Sequence, residues 1–268
     1  MSAYKTLIVE EKGDVDWVTM NRPERMNALN AQLVDDLLDY FGKLYWNRAR
    51  RIVVLRGAGK AFCAGLDLKE GSNNSGVGGN TPANGMYTQR RISEIVMRMR
   101  RCPQPIISLV QGPACGGGFA LALASDIRIA GESARMNAAF IRIGLSACDI
   151  GVSYFLPRLV GASVASELML TGRFINAARA ERTGLVSEVV PDDKLADAAA
   201  GYIEEMVTTS PLGLRLTKEC LNMSVDAGSL EAAVAMEDRN QILAAQSADF
   251  GEGIRAFLEK RRPVYADR

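Results

Sequence analysis

The sequence predicts an α/β fold with a partly parallel sheet and a helical C-terminal region, and three observations carry that expectation. Apolar, β-branched runs alternate with segments of helical period through the first two-thirds of the chain. One of those alternations passes through three consecutive glycines, Gly116 to Gly118, and after Ser163 helix follows helix around one short strand. The chain has 268 residues and 48% hydrophobic composition, enough for one large core or a core with a smaller helical module. We expect a core over residues 1–190 and a helical region over 191–268 that covers the core or binds a neighbour.

The elements follow in order. Thr6–Glu10 and Val15–Met20 are β-branched and apolar around the polar break at Glu11–Asp14, so they read as a hairpin. Asn30 is positioned to cap a helix of roughly 15 residues, because Leu33, Leu37, Leu38, Phe41 and Leu44 recur at helical spacing. Ile52–Leu55 reads as a buried strand. Residues 71–85, rich in Gly, Asn and Ser, read as a long surface loop, either a lid or a linker. A helix over Tyr87–Arg101 follows, with Ile92, Ile95, Val96 and Met99 on one face and Pro103 and Pro105 to stop it. Ile106–Val110 is then a strand, the glycines a turn, and Phe119–Ala124 a buried helix. Asp126–Ala130 and Leu185–Val190 read as further strands.

Composition excludes several classes of function. With 32 basic and 31 acidic residues the net charge is +1, so no global field favours nucleic acid or a membrane surface. The run Arg90, Arg91, Arg98, Arg100 and Arg101 reads as a solvated helix face. No apolar run approaches the ~18 residues of a membrane span. Cys63, Cys102, Cys115, Cys148 and Cys220 form no C-x-x-C pair, and no charged-then-apolar leader opens the chain, so a reduced, cytoplasmic setting is the expectation. Histidine is absent. Ser-His-Asp and Cys-His catalysis are therefore impossible, as are the usual His-containing zinc sites, and acid–base work falls to carboxylates, Lys, Tyr, Cys or the backbone.

Three stretches carry chemistry. Glycines at a helix start allow close approach to a backbone whose first N–H groups are unsatisfied and lie at the positive end of the helix dipole, so Gly116–Gly118 favour negative charge. Their alternative use is tight packing of helix on sheet. Gly57-Ala-Gly-Lys-Ala-Phe-Cys-Ala-Gly-Leu-Asp lacks Gly at Phe62 for a dinucleotide fingerprint and Ser or Thr at Ala61 for a phosphate-binding P-loop, and it remains a candidate for a loop whose backbone lines a site. Asp149 lies among apolar and small residues before a helix, either as a functional carboxylate or as that helix's cap.

Asn21-Arg-Pro with Asn27-Ala-Leu, Lys60-Ala-Phe-Cys-Ala-Gly-Leu-Asp-Leu-Lys, and Gln111-Gly-Pro-Ala-Cys-Gly-Gly-Gly occur in this order and at this spacing. Together they resemble the enoyl-CoA hydratase/isomerase (crotonase) superfamily, over nearly the whole chain. The resemblance implies a spiral of ββα units with a helical C-terminal region, assembly as a homotrimer or homohexamer, and an acyl-CoA thioester as substrate. It implies no cofactor beyond the coenzyme A of that substrate, and no metal. It implies further that the Leu66 and Gly117 amides polarise the thioester carbonyl. Ala64, Asp67 and Leu68 would lie at the adenine side, Lys69 and Lys260, the latter from a neighbouring subunit, near phosphates, with Arg25 a further candidate, and Gly116, Ala120 and Phe140 would also contact the substrate.

Departures from the family pattern narrow the chemistry. The two glutamates of the hydratases correspond to Ala120 and Phe140, both apolar, so the usual acid and base for adding water are lost together. The resemblance leaves Asp149. Dienoyl-CoA isomerases, 3-hydroxyisobutyryl-CoA hydrolases and the 4-chlorobenzoyl-CoA dehalogenase place a catalytic Asp in Gly-Leu-x-x-Asp-x-Gly, which here reads Gly144-Leu-Ser-Ala-Cys-Asp149-Ile-Gly with one residue more. Asp149 is thus the expected acid–base residue, with Glu237 or Asp238 as alternative carboxylates. The nominal reading is an enoyl-CoA hydratase or isomerase with Asp149 as acid/base, and double-bond isomerisation, thioester hydrolysis and a catalytically silent acyl-CoA-binding subunit all stand as alternatives at this point.

Overall fold

Alternation along the strands places one apolar set on each face of a sheet. Val53 and Leu55 join one core, while Ile52 and Val54 join another with Val15, Trp17, Ile107, Leu109 and Ile129. The computed structural model describes residues 4–71 and 81–267. Its first elements are β1 (Leu7–Lys12), β2 (Val15–Met20), α1 (Ala31–Leu44), β3 (Ile52–Gly57), α2 (Leu68–Gly71) and α3 (Pro82–Arg101). The glycine turn joins β4 (Ile106–Val110) and β5 (Pro113–Cys115) to α4 (Gly117–Ala124). Then come β6 (Ile127–Gly131), β7 (Arg135–Asn137), α5 (Val152–Thr171), β8 (Ile175–Asn176), α6 (Ala177–Arg182) and β9 (Glu188–Val190). The chain closes with α7 (Leu195–Val207), α8 (Pro211–Ser224), α9 (Leu230–Ala245) and α10 (Ala248–Leu258).

Among the described residues the strands form a six-stranded sheet in the order β1-β2-β3-β4-β6-β9 and a three-stranded sheet in the order β5-β7-β8. Only the β1–β2 hairpin is antiparallel in the larger sheet, as the polar break between those runs implies. Each crossover returns through a helix and advances one strand, which is the α/β spiral expected from sequence. Asn30 caps α1 by accepting from the Leu33 amide at 3.0 Å. The smaller sheet has strands of two or three residues, too short for a periodic signal.

One expectation changes. The segment read as a loop over 71–85 ends earlier than expected: α3 begins at Pro82, with Thr81 accepting from the Asn84 amide at 3.2 Å as its cap. Residues 72–80, on which the lid reading falls, lie outside the described residues. The expected division at 190 falls between β9 and α7, and α7 buries Leu195 and Ala199 against the outer face of the sheet. Farther along, α8 docks through Lys218, a buried ammonium that donates to the Gln104 carbonyl at 2.7 Å and the Met99 carbonyl at 3.1 Å and pairs with Asp126 at 2.8 Å. Among the described residues no helix is long and apolar enough to cross a membrane.

Candidate active site

The sequence from Ala58 to Asp67 is held from three sides. The Asn27 amide donates to the Ala58 and Ala61 carbonyls at 2.9 and 2.8 Å, and the Gln111 amide to the Gly57 carbonyl at 2.6 Å. Asp67 is buried and accepts from the Arg22 guanidinium at 2.9 Å, while Arg22 also donates to the Ala28 carbonyl. These contacts explain the polar residues of the Asn21-Arg-Pro and Asn27-Ala-Leu stretches. They fasten a loop without regular structure to its surroundings, so its backbone is fixed before any ligand arrives.

Leu66 pairs with Leu29 as an isolated parallel bridge, in which Leu29 bonds to residues 65 and 67. That pattern turns the Leu66 amide to the opposite side. The neighbouring amides are engaged, Ala64 with the Met26 carbonyl and Asp67 with the Leu29 carbonyl. Among the described residues no acceptor takes the Leu66 N–H or the Gly117 N–H, the latter being the first residue of α4.

The glycines bring these two amides together. A Cβ on Gly118 would lie 2.0 Å from the Cys63 carbonyl oxygen, and one on Gly65 would lie 2.6 Å from the Cys115 carbonyl oxygen and 3.5 Å from the Gly117 nitrogen. The start of α4 therefore lies directly against the Cys63–Leu66 loop. Both uses of the triplet weighed from sequence, close packing and exposed amides, occur at once.

Leu66 and Gly117 line a cavity of about 100 Å³ with Leu29, Ile92, Phe140 and Asp149. Asp149 is the single titratable side chain among its described lining residues. Its Oδ1 accepts from the Ile150 amide at 2.8 Å and from the Gln89 side chain. Burial pushes the Asp149 carboxyl above the ordinary aspartate range, and the Ile150 and Gln89 hydrogen bonds oppose that shift. Asp149 is not the side-chain cap of α5: Gly151 holds the cap position, with no side-chain cap bond. Between them Ile150 has φ of 34°, a left-handed conformation uncommon for a β-branched residue. Such strain recurs where a fold holds a functional group in place.

Other expected site residues distribute unevenly. Ala64, Leu68 and Gly116 line the cavity with Phe140, whose ring lies 3.4 Å from the Cβ that Gly116 lacks. Ala120 is fully buried in α4 and is not among the lining residues. Arg25, Lys69 and Lys260 are exposed and outside the lining, and the Asp67 carboxylate is engaged with Arg22. Glu237 lines a separate groove between α8 and α9. Gln89 is the polar residue that periodicity did not single out, although it continues the apolar face of α3 three residues before Ile92. Burial pushes the thiols of Cys63 and Cys115 up to about 12 and about 11, which leaves them protonated near neutrality. Among the described residues no group of three or more Cys, Asp or Glu side chains gathers to hold a metal ion.

An α/β spiral with a glycine-started helix laid against a loop backbone defines the crotonase class. The chain belongs to the enoyl-CoA hydratase/isomerase family, whose family model matches residues 10–268. It is similar to the probable enoyl-CoA hydratase EchA12 of Mycobacterium tuberculosis, 40% identical over 97% of this chain and 92% of that protein. It is also similar to the 1,2-epoxyphenylacetyl-CoA isomerase of Escherichia coli, 37% identical over 96% of this chain and 97% of that protein. The crystal structure of an enoyl-CoA hydratase from Bacillus anthracis superposes with a TM-score of 0.92 at 32% identity, covering 98% of this chain and 100% of that one. The chain is thus an acyl-CoA enzyme, a lyase or isomerase of this family.

Proposed function

We propose that this protein is an acyl-CoA isomerase that moves a proton between carbons of a thioester with one carboxylate. The observation that carries this reading is the lining of the cavity, which among the described residues has two amides without acceptors and a single titratable side chain, Asp149. In the proposed reaction the thioester oxygen accepts hydrogen bonds from the Leu66 and Gly117 amides. Asp149 removes a proton from the acyl chain, the electron pair is delocalised onto that oxygen as an enolate, and the carboxylic acid returns the proton to a different carbon. Loss of one such amide donor costs about 2.7–4 kcal/mol of transition-state stabilisation. Addition of water by two glutamates is disfavoured, because Ala120 and Phe140 occupy the corresponding positions. The similarity to the 1,2-epoxyphenylacetyl-CoA isomerase is compatible with an isomerase, while relatives named as hydratases are at least as similar.

Coenzyme A in this reading passes Ala64 and Leu68 toward the exposed Lys69, with Arg25 and a neighbouring subunit's Lys260 as further phosphate contacts. Asp67 contributes by holding the loop through Arg22. A homotrimer or homohexamer is part of the proposal, because α9 buries none of its residues and leaves Leu230, Ile242 and Leu243 exposed. Light scattering that finds a monomer at micromolar concentration counts against the assembly. The reaction is tested by incubating the protein with saturated, unsaturated and aromatic CoA thioesters and reading the products by mass spectrometry and NMR. Isomerised thioesters support the reading. Water adducts, free acids, or binding without turnover replace it by a hydratase, a hydrolase or a silent binder respectively.

A further inference from the structure

We propose that Gln89 is a positioning residue for Asp149: with the Ile150 amide it holds Oδ1, so that Oδ2 is the oxygen that exchanges protons with the substrate. The inference rests on the reading of Asp149 as the base. Gln89 lies on α3, one helical turn before Ile92, and both side chains line the cavity. Its Nε2 donates to Asp149 Oδ1, which also accepts from the Ile150 amide at 2.8 Å. Among the described residues Oδ2 accepts no hydrogen bond. An ionised carboxylate only accepts, so two donors on one oxygen fix its orientation and leave the other for proton transfer.

The contact has an electrostatic consequence. Hydrogen bonds to the charged form favour ionisation, which opposes the burial of this carboxyl. Among the described residues no charged side chain offsets that burial from nearby elements. On α3, Arg91 pairs with Asp35 and Glu94 with Arg98 and Arg101, while Arg90 is exposed. On α5, Arg158 pairs with Asp226; before α5, Arg142 donates to the Thr171 carbonyl, and Cys148 is exposed. Gln89 is therefore the side chain that decides at what pH Asp149 becomes a base, as well as its aim.

The test follows α-deuterium incorporation from heavy water into butanoyl-CoA and phenylacetyl-CoA as a function of pH. Wild type, Gln89→Met, Gln89→Glu and Asp149→Asn are compared, with KM and thermal midpoint measured for each. Gln89→Met keeps length and loses the donor. We expect roughly tenfold slower exchange near neutrality, the scale of one lost hydrogen bond to a charged group, with KM within about twofold of wild type. The acid limb of its profile moves to higher pH, and that of Gln89→Glu, which sets a second anion beside Asp149, moves farther. An unshifted acid limb in both variants overturns the role of Gln89, as does a loss matched by an equal loss of affinity. Wild type that exchanges neither thioester, or Asp149→Asn that exchanges as fast as wild type, removes instead the reading on which the inference rests.

Discussion

Arg22 and Asp67 form an ion pair at 2.9 Å in which both side chains are buried, across 45 residues of sequence. The pair fastens the loop that carries Leu66 to the turn after β2. Removing one member breaks a buried ion pair, which typically costs 3–5 kcal/mol. Asp67→Ala is expected to lower the unfolding free energy by about that amount in urea, whereas Arg22→Met with Asp67→Leu recovers much of it. Equal stability of Asp67→Ala and wild type would show that the loop does not depend on the pair.

The glycines of α4 and α7 make opposite predictions. At Gly118 a methyl group meets the Cys63 carbonyl oxygen at 2.0 Å, and backbone on both sides must move to admit it. Gly118→Ala is expected to cost at least about 2 kcal/mol, in the range of overpacked cores, and to displace the start of α4. At Gly201, exposed within α7, a methyl group meets nothing within 4 Å. Gly201→Ala is expected to stabilise by about 0.5–1 kcal/mol through helix propensity alone. Paired chemical denaturation curves check both signs.

Asp149 stores a stability cost with a defined pH dependence. Its folded pKa is raised above the ordinary value of 3.8, so between the two values the folded chain holds more protons than the unfolded chain. Stability from this group therefore falls as pH rises through that window and stays lower above it. Asp149→Asn keeps an acceptor for Gln89 and Ile150 and removes the half-buried charge. The variant is expected to be more stable than wild type at neutral pH, with the difference closing as pH falls below the ordinary aspartate range. A constant difference at all pH values would contradict the burial of the charged form.

Much of this was legible in sequence for identifiable reasons. The hairpin, α1 with its Asn30 cap and the buried strand Ile52–Leu55 are set by local periodicity and capping, and the structure has each within a few residues. Close packing at Gly118 was legible because three glycines in a row have few other uses. The Arg22–Asp67 pair was not, since its members are distant in sequence and each reads locally as a surface charge. Gln89 was hidden because one polar residue at the end of an apolar helix face looks like the edge of that face. The smaller sheet was missed because its strands span two or three residues, below any detectable period. The start of α3 was masked by Pro82, Asn84 and Gly85, which are loop formers by composition but here occupy the first turn of a helix, where proline is tolerated.

If a single carboxylate performs the proton transfer, turnover of Asp149→Asn is the decisive measurement. The variant is to be assayed beside wild type on whichever CoA thioester the product analysis identifies, after its folded state and CoA affinity are measured. A fall of at least about a hundredfold in kcat is expected, the scale of general acid–base catalysis, with CoA affinity within about twofold of wild type. A folded variant that turns over at near wild-type rate would show that the base is not Asp149 and lies elsewhere.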